Sequence, residues 1–349
     1  MKNKPLHSRI VLPVELTEAE ISVWNHLSAS VPHLASPFLS FQYTLAVARA
    51  GQRVRVCVIY QRHDNQIVGF FPFQFKSRAM QWLKSAEPAG GQMTDYFGVI
   101  AAPGFTISPA ELLSLAGLNH VCFSHLDETQ CRYGLYGEQP RPGLRISCPA
   151  QNEPADANSV FSKKHSSDLK RRKKHLTDDV GPIQFIFNVK ENRRELLHQL
   201  IEQKQLQYRR TGVADALAGK WKVALLEQLL ETRFESCTGM LSQLTAGGHW
   251  VASHYGLAGN GILQYWLPVF NPAMAQYGPG RILIEQILLA TPQQQIHTID
   301  RGEGVTDSKK EIASVEHQFY RGIWHNNSMQ AFTARSFQSL QWRIGAMKS

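Results

Sequence analysis

The chain has 349 residues, 43% of them apolar and 19% charged, which is enough to bury one or two domain cores. That composition excludes a disordered segment, a collagen and a coiled-coil rod. The 37 Lys and Arg against 28 Asp and Glu give a formal charge of +9, which by itself suggests a polyanion or membrane-surface partner. Position narrows the suggestion. Segment 163–175 (KKHSSDLKRRKKH) holds seven Lys or Arg and one Asp, and the rest of the second half is neutral. One local patch is not the diffuse coating of a protein that tracks a phosphate backbone.

In chain order, the apolar stretch Ile10–Val14 contains Pro13 and is too short for a signal peptide core. No apolar run approaches the roughly 18 residues that span a bilayer. The five cysteines are widely spaced, with no CxxC pair, and read as reduced thiols of a cytoplasmic chain. Residues 15–30 are expected to be a helix, with Ala19, Val23 and Leu27 at spacing four and a Thr17/Glu20 capping box. RVRVCVIY (53–60) and QIVGFFPFQF (66–75), separated by a polar turn, predict a hairpin. A Gly-rich passage (88–104), a short helix near 108–118 and a strand at 119–124 follow. Residues 136–157, with four prolines, read as a linker.

In the second half the pattern predicts a strand at 183–189, a helix near 191–209 carrying Leu196, Leu200 and Lys204 on one stripe, and a helix near 219–233. Residues 239–270 read as three antiparallel strands, punctuated by Gly247-Gly248 and Gly259-Asn260-Gly261. Gly278-Pro279-Gly280 opens an apolar helix at 281–290, and a strand at 296–300 ends in Asp300-Arg301-Gly302-Glu303-Gly304. The repetition of helix, hairpin, Gly-rich turn and strand suggests a duplicated α/β unit. The expected domains are 1–150 and 151–349.

Three features could carry chemistry. A strand running through Gly278 and Gly280 into a helix exposes backbone N–H groups and the positive end of the dipole, a setting for pyrophosphate, though an ordinary tight turn has the same spacing. Asp300 at a strand end, followed by Lys309, could orient an amine and stabilise an oxyanion, and a solvated Asx turn fits as well. His254 shares a strand face with Ala252 and Gly256 and could act as a base near pH 7, although a lone His is more often structural. His120, Cys122 and His125 do not share a strand face, so no metal site is expected. No GxSxG elbow, GxGxxG fingerprint or Walker loop occurs.

The strands of 239–270, the turn YGPGRILIEQILL and the tail HTIDRGEGVTDSKKEI resemble the acyltransferase domain of the CelD-like, FemAB-related branch of the GNAT superfamily. In the first half, SPFLSFQYTLAVA, QIVGFFPFQF and TDYFGVIAAPG resemble the N-terminal part of those bacterial proteins, and the similarity runs from about 36 to 320. The resemblance implies two tandem GNAT-like folds, each a mixed, mainly antiparallel sheet flanked by helices. It implies an acyl-CoA donor, acetyl-CoA or longer, with Gly278, Gly280 and Arg281 at its pyrophosphate. It assigns His254 or Asp300 as the base that orients the amine, Lys309 to an acceptor phosphate or the oxyanion, and Tyr265 to the leaving thiolate. Asp95 and Tyr96 would wall the acceptor site. Two positions depart from the family pattern: Ala275 stands where Gln or Arg usually precedes the first glycine, and Ser308 where an aromatic precedes the lysine.

The implied function is N-acylation of an amino sugar or another precursor of a bacterial polysaccharide or envelope component, in the cytoplasm, with segment 163–175 touching an anionic inner-membrane surface or the polysaccharide machinery. Aminoacyl transfer from tRNA, as in FemAB-type relatives, N-acylation of a lipid amine, and an inactive binding module remain as alternatives.

Overall fold

The computed structural model describes residues 5–148, 161, 163–312 and 315–326. The chain divides into two compact units, Met1–Arg141 with Gln318–Ser349, and Pro142–His317. Both are mixed α/β structures with mainly antiparallel sheets, the fold class that the resemblance implies.

The first unit opens with β1 (Leu6–Val11) and helix α1 (Glu18–Ser30). The expected capping box closes α1: Thr17 Oγ1 accepts from the Glu20 amide, and Glu20 Oε2 accepts from the Thr17 amide at 2.8 Å. Glu20 is buried and also binds Arg9 and the Tyr60 hydroxyl, both at 2.6 Å. Burial alone would raise its pKa, but these hydrogen bonds outweigh burial and hold the carboxylate near 2. Helix α2 (Phe41–Arg49) precedes the expected hairpin of β2 (Arg53–Gln61) and β3 (Ile67–Phe75). Helix α3 (Arg78–Trp82), β4 (Ser85–Pro88), β5 (Ile100–Ala101), helix α4 (Pro109–Leu115) and β6 (His120–Asp127) follow. Strand β3 is buried on both faces, and its aromatics extend into a cluster in which Phe71, Phe97 and Phe123 pack in sequence.

Strand β7 (Gln139–Ser147), inside the stretch read as a linker, gives the second unit its residues from Pro142 on. That expectation is corrected for 139–147: Leu144 and Ile146 are buried at alternate positions, and the prolines fall in its exposed first half. The remainder, 149–157, lies outside the described residues. The basic segment forms helix α5 (Lys163–Asp179), followed by β8 (Ile183–Ile186), helix α6 (Arg193–Thr211), helix α7 (Lys220–Glu231) and the short β9 (Arg233–Phe234). The three strands expected in 239–270 are β10 (Cys237–Ala246), β11 (His249–Gly259) and β12 (Ile262–Phe270), paired antiparallel in sequence. Helix α8 (Pro279–Ala290) then crosses over to β13 (Thr298–Glu303), which pairs parallel with β12 and antiparallel with β7. A short helix α9 (Asp307–Lys310) precedes β14 (Val315–His325), whose residues from Phe319 pair with β6 in the first unit.

The core of this unit lies between α8 and the sheet. Ile282, Leu283, Ile287 and Leu288 meet Val251 and Ala252 of β11, and Leu169 and Leu176 of α5 join them. Helix α5 therefore has an inner face, and part of its charge turns inward. Lys173 pairs at 2.8 Å with Glu285 of α8, whose side chain is 4% exposed.

Candidate active site

The parallel pairing of β12 with β13 ends at Gln264 and Asp300, while β12 continues to Phe270 and β13 to Glu303. Beyond Gln264 the pairing with β13 stops, and a cavity of about 520 Å³ is lined by Tyr265, Pro268 and Phe270 of β12, Lys204 of α6, Arg301 of β13 and the start of α8. Gly278, Gly280 and Arg281 line the same cavity, as do His165 and Arg172 of α5. Five basic side chains from four helices and strands thus converge on one space that no carboxylate among the described residues lines.

The turn into α8 shows why glycine stands there. Gly278 has φ +65°, and an added Cβ would meet the Arg172 side chain at 3.2 Å, so both backbone and space favour Gly. At Gly280 an added Cβ would meet nothing within 4 Å, so its missing side chain leaves the approach to the helix end open. Helix α8 has no side-chain cap; Pro279 has no N–H and the Arg281 amide bonds the Gly278 carbonyl at 3.0 Å, so the Gly280 amide and the helix dipole are what favour an anion there. The two arginines beside it are held in place by acids: Arg172 Nε binds Asp168 at 2.6 Å, and Arg281 reaches Asp168 at 3.4 Å and Glu311 at 2.7 Å.

Deeper in, Tyr265 stacks on His254, with ring centroids 4.4 Å apart and planes 9° from parallel. His254 has no exposed surface, and neither ring nitrogen makes a well-formed hydrogen bond. Burial drives its pKa down to about 3, a shift that the nearby Gln264 carbonyl only partly opposes. Burial likewise pushes the Tyr265 hydroxyl up, with Arg301 pulling weakly the other way. Lys204 donates to the Pro268 carbonyl at 3.0 Å, and burial lowers its pKa. The Arg301 guanidinium is lowered by burial too.

Asp300 and Lys309 brace the adjoining loop. The Asp300 side chain has no exposed surface; it accepts from Arg145 Nε at 3.1 Å and from the Gly302 amide at 2.8 Å. Lys309 Nζ donates to the carbonyls of Arg301 and Glu303, while Arg301 returns a bond to the Lys309 carbonyl at 2.8 Å. These bonds fix the position at which Arg301 enters the cavity. Asp95 and Tyr96 belong to the first unit, where Tyr96 is buried against Phe319 at 5.2 Å.

The structure therefore gathers Gly278, Gly280, Arg281 and Tyr265 at one cavity, with His254 behind Tyr265 and the Asp300–Lys309 loop alongside. Sequence reasoning did not single out His165, Arg172 or Arg301. Lys204, a charge within the apolar stripe of its helix, was the readable signal for one more. Among the described residues no group of three His, Cys, Asp or Glu is placed to hold a metal ion.

This geometry coincides with a family match. The model of the acetyltransferase (GNAT) domain matches residues 163–310. This segment is similar to GNAT acyltransferase domains. The cavity, the α8 turn and the β12–β13 divergence all lie within that segment, and the enzyme is an acyltransferase. No curated protein matches the chain in sequence. Among solved structures, FemX is similar over 91% of this chain and 98% of its own, with a TM-score of 0.59 at 10% identity. L-PGS from Bacillus licheniformis covers 91% of this chain and 96% of its own (TM-score 0.51, 11% identity). The C-terminal domain of a putative lysylphosphatidylglycerol synthetase from Agrobacterium fabrum covers 85% and 92% (TM-score 0.50, 10% identity). At these identities the likeness is one of fold.

Proposed function

We propose that the enzyme transfers an acyl group from acyl-CoA to an amine of a bacterial polysaccharide or envelope precursor, within the CelD-like branch that the sequence resembles. The observation that carries the reading is the cavity where β12 and β13 diverge, with the uncapped α8 start at its edge and Arg172 and Arg281 on either side. The pyrophosphate of the donor would meet the Gly280 amide, the positive end of the α8 dipole and these arginines. Its thioester would lie along the free edge of β12, near Tyr265.

The acceptor amine attacks the thioester carbonyl, the carbon–sulfur bond breaks, and the amine loses a proton. Positioning and oxyanion stabilisation supply much of the acceleration. Tyr265, kept protonated by burial, would donate a hydrogen bond to the departing sulfur. A conjugate acid with a pKa near 3 is a poor match to proton abstraction at neutral pH, so His254 enters as the packed support of Tyr265. Lys204, whose ammonium is destabilised by burial, is the better candidate for accepting the amine proton. Asp300 and Lys309 act by holding the Arg301 loop, and Asp95 and Tyr96 retain the acceptor-wall role that the resemblance implies.

A second reading, a lipid amine as acceptor, is favoured by the exposed basic residues Lys170, Arg171 and Lys174 on α5. Calorimetry of the full chain with acetyl-CoA, long-chain acyl-CoA and aminoacyl-tRNA, followed by thiol release with amino sugars or with amine-bearing lipids in vesicles, separates these readings. CoA binding that weakens about tenfold in Arg172→Gln is expected, the loss of a charged hydrogen bond. Binding of tRNA without CoA would overturn the donor assignment.

A further inference from the structure

We propose a second anion site at the start of α6, separate from the acyl cavity and suited to the phosphate group of a phosphorylated ligand. A recess of about 660 Å³ is lined there by Lys190, Asn192, Arg193, Arg194, Glu195, His198, Glu231 and Arg233. Helix α6 is 19 residues long and starts from Asn192, whose φ is +49° and whose side chain makes no capping hydrogen bond. Its first amides are thus left for an external acceptor.

The independent observation is Arg193. The residue is 8% exposed, and its side-chain hydrogen bond among the described residues goes to a carbonyl and not to a carboxylate. Nη2 donates to the Gly239 carbonyl at 2.9 Å, whereas Nε and Nη1 have no hydrogen-bond partner. A buried cation with two unpartnered nitrogens, three N–H donors in all, is costly unless an anion completes it. The planar fork of Arg suits two oxygens of one phosphate. Lys190, Arg194 and Arg233 line the recess against Glu195 and Glu231; Arg194 is shared with Glu227 at 3.9 Å, and Arg233 donates to the Leu230 carbonyl at 2.6 Å, so Lys190 and Arg193 balance the anion's charge. His198 is already paired, with Glu227 at 2.8 Å.

The site is distinct from the cavity because Arg193 and Lys204 lie eleven residues apart on one helix, roughly 16 Å at the α-helical rise. The phosphate could belong to a phosphorylated substrate or to free phosphate acting as an effector, and the two differ in what else the recess would hold.

The test is calorimetry on the full chain with inorganic phosphate and, separately, with uridine diphosphate, at fixed ionic strength. Saturable phosphate binding is expected, weakened at least tenfold in Arg193→Gln and unchanged in Lys220→Gln. Should Arg193→Gln fail to fold, the exposed pair Lys190→Gln/Arg194→Gln is expected to weaken binding severalfold. Tighter binding of uridine diphosphate would assign the site to a phosphorylated molecule, and equal affinity to free phosphate. Absence of saturable binding, or affinity indifferent to both variants, overturns the proposal. Saturating CoA is expected to leave phosphate binding unchanged; competition would move the phosphate into the acyl cavity and overturn the second site. None of these titrations requires turnover, so failure of the acyl-CoA reading leaves the result interpretable.

Discussion

His254 lies with no exposed surface against the ring of Tyr265, and its imidazole takes a proton only below about pH 3 in the folded chain. In the unfolded chain the group titrates near 6.5. Between these values the unfolded state binds more protons, so stability is full above about pH 6.5 and falls as pH drops toward 3, by up to about 1.4 kcal/mol per pH unit from this residue. Urea unfolding at pH 7 and pH 5 is expected to show this loss, and His254→Asn to reduce it; equal slopes in the two proteins would deny that the ring is buried neutral. Asp300 makes the complementary case. Removing a fully buried carboxylate from Arg145 and the Gly302 amide is expected to cost about 3 kcal/mol in Asp300→Ala, read as a lower thermal midpoint. Activity lost with no change in midpoint would instead place Asp300 in the chemistry. Both residues were visible in the sequence as chemically capable groups. Their roles were not, because a strand-end Asp and a lone strand His read alike whether they face solvent, substrate or a neighbouring ring.

At the scale of elements, the helices and strands of the second unit follow from periodicity and glycine placement, and α5 shows where such reading stops. Its run of seven basic residues reads as one patch, but Arg172 turns into the cavity and Lys173 into a buried pair with Glu285. Lys173→Met alone is expected to destabilise by about 3 kcal/mol, because it strands the Glu285 carboxylate, and the double variant Lys173→Met/Glu285→Leu to recover most of that loss in a denaturation cycle. The exposed members carry a different expectation. Reversing Lys170, Arg171 and Lys174 to Glu is expected to raise KM for an anionic acceptor severalfold while the CoA Kd stays within twofold; the reverse pattern would give this face to CoA.

At the scale of the molecule, the first unit is completed by chain from both sides of the second. Residues Phe319–His325 pair with β6, and Trp324 packs on Phe123 with centroids 4.6 Å apart. A chain ending at His317 would lose Phe319, which has no exposed surface, and Trp324, which is 5% exposed. Each loss costs on the order of 3–5 kcal/mol, comparable together to the whole stability of a typical domain. The expected outcome is loss of cooperative unfolding of the first unit, followed by its aromatic near-UV circular dichroism, against a chain ending at Asn326; retention of the transition would show that β14 is dispensable.

Short-range rules were enough to read the Thr17/Glu20 cap, the hairpin of β2 and β3, the three-strand meander and the Gly278–Gly280 turn, because each depends on neighbours a few residues away. The expectation of a linker over 139–147 failed because β7 is made by burial of Leu144 and Ile146 against partners more than 150 residues distant, such as Asp300 across from Arg145. The same distance hides the site. Arg172, Lys204, Tyr265, Arg281 and Arg301 become neighbours only when β12 and β13 pair and then part after Gln264, an arrangement set by how α6 and α8 pack on the sheet and by no local pattern in the chain.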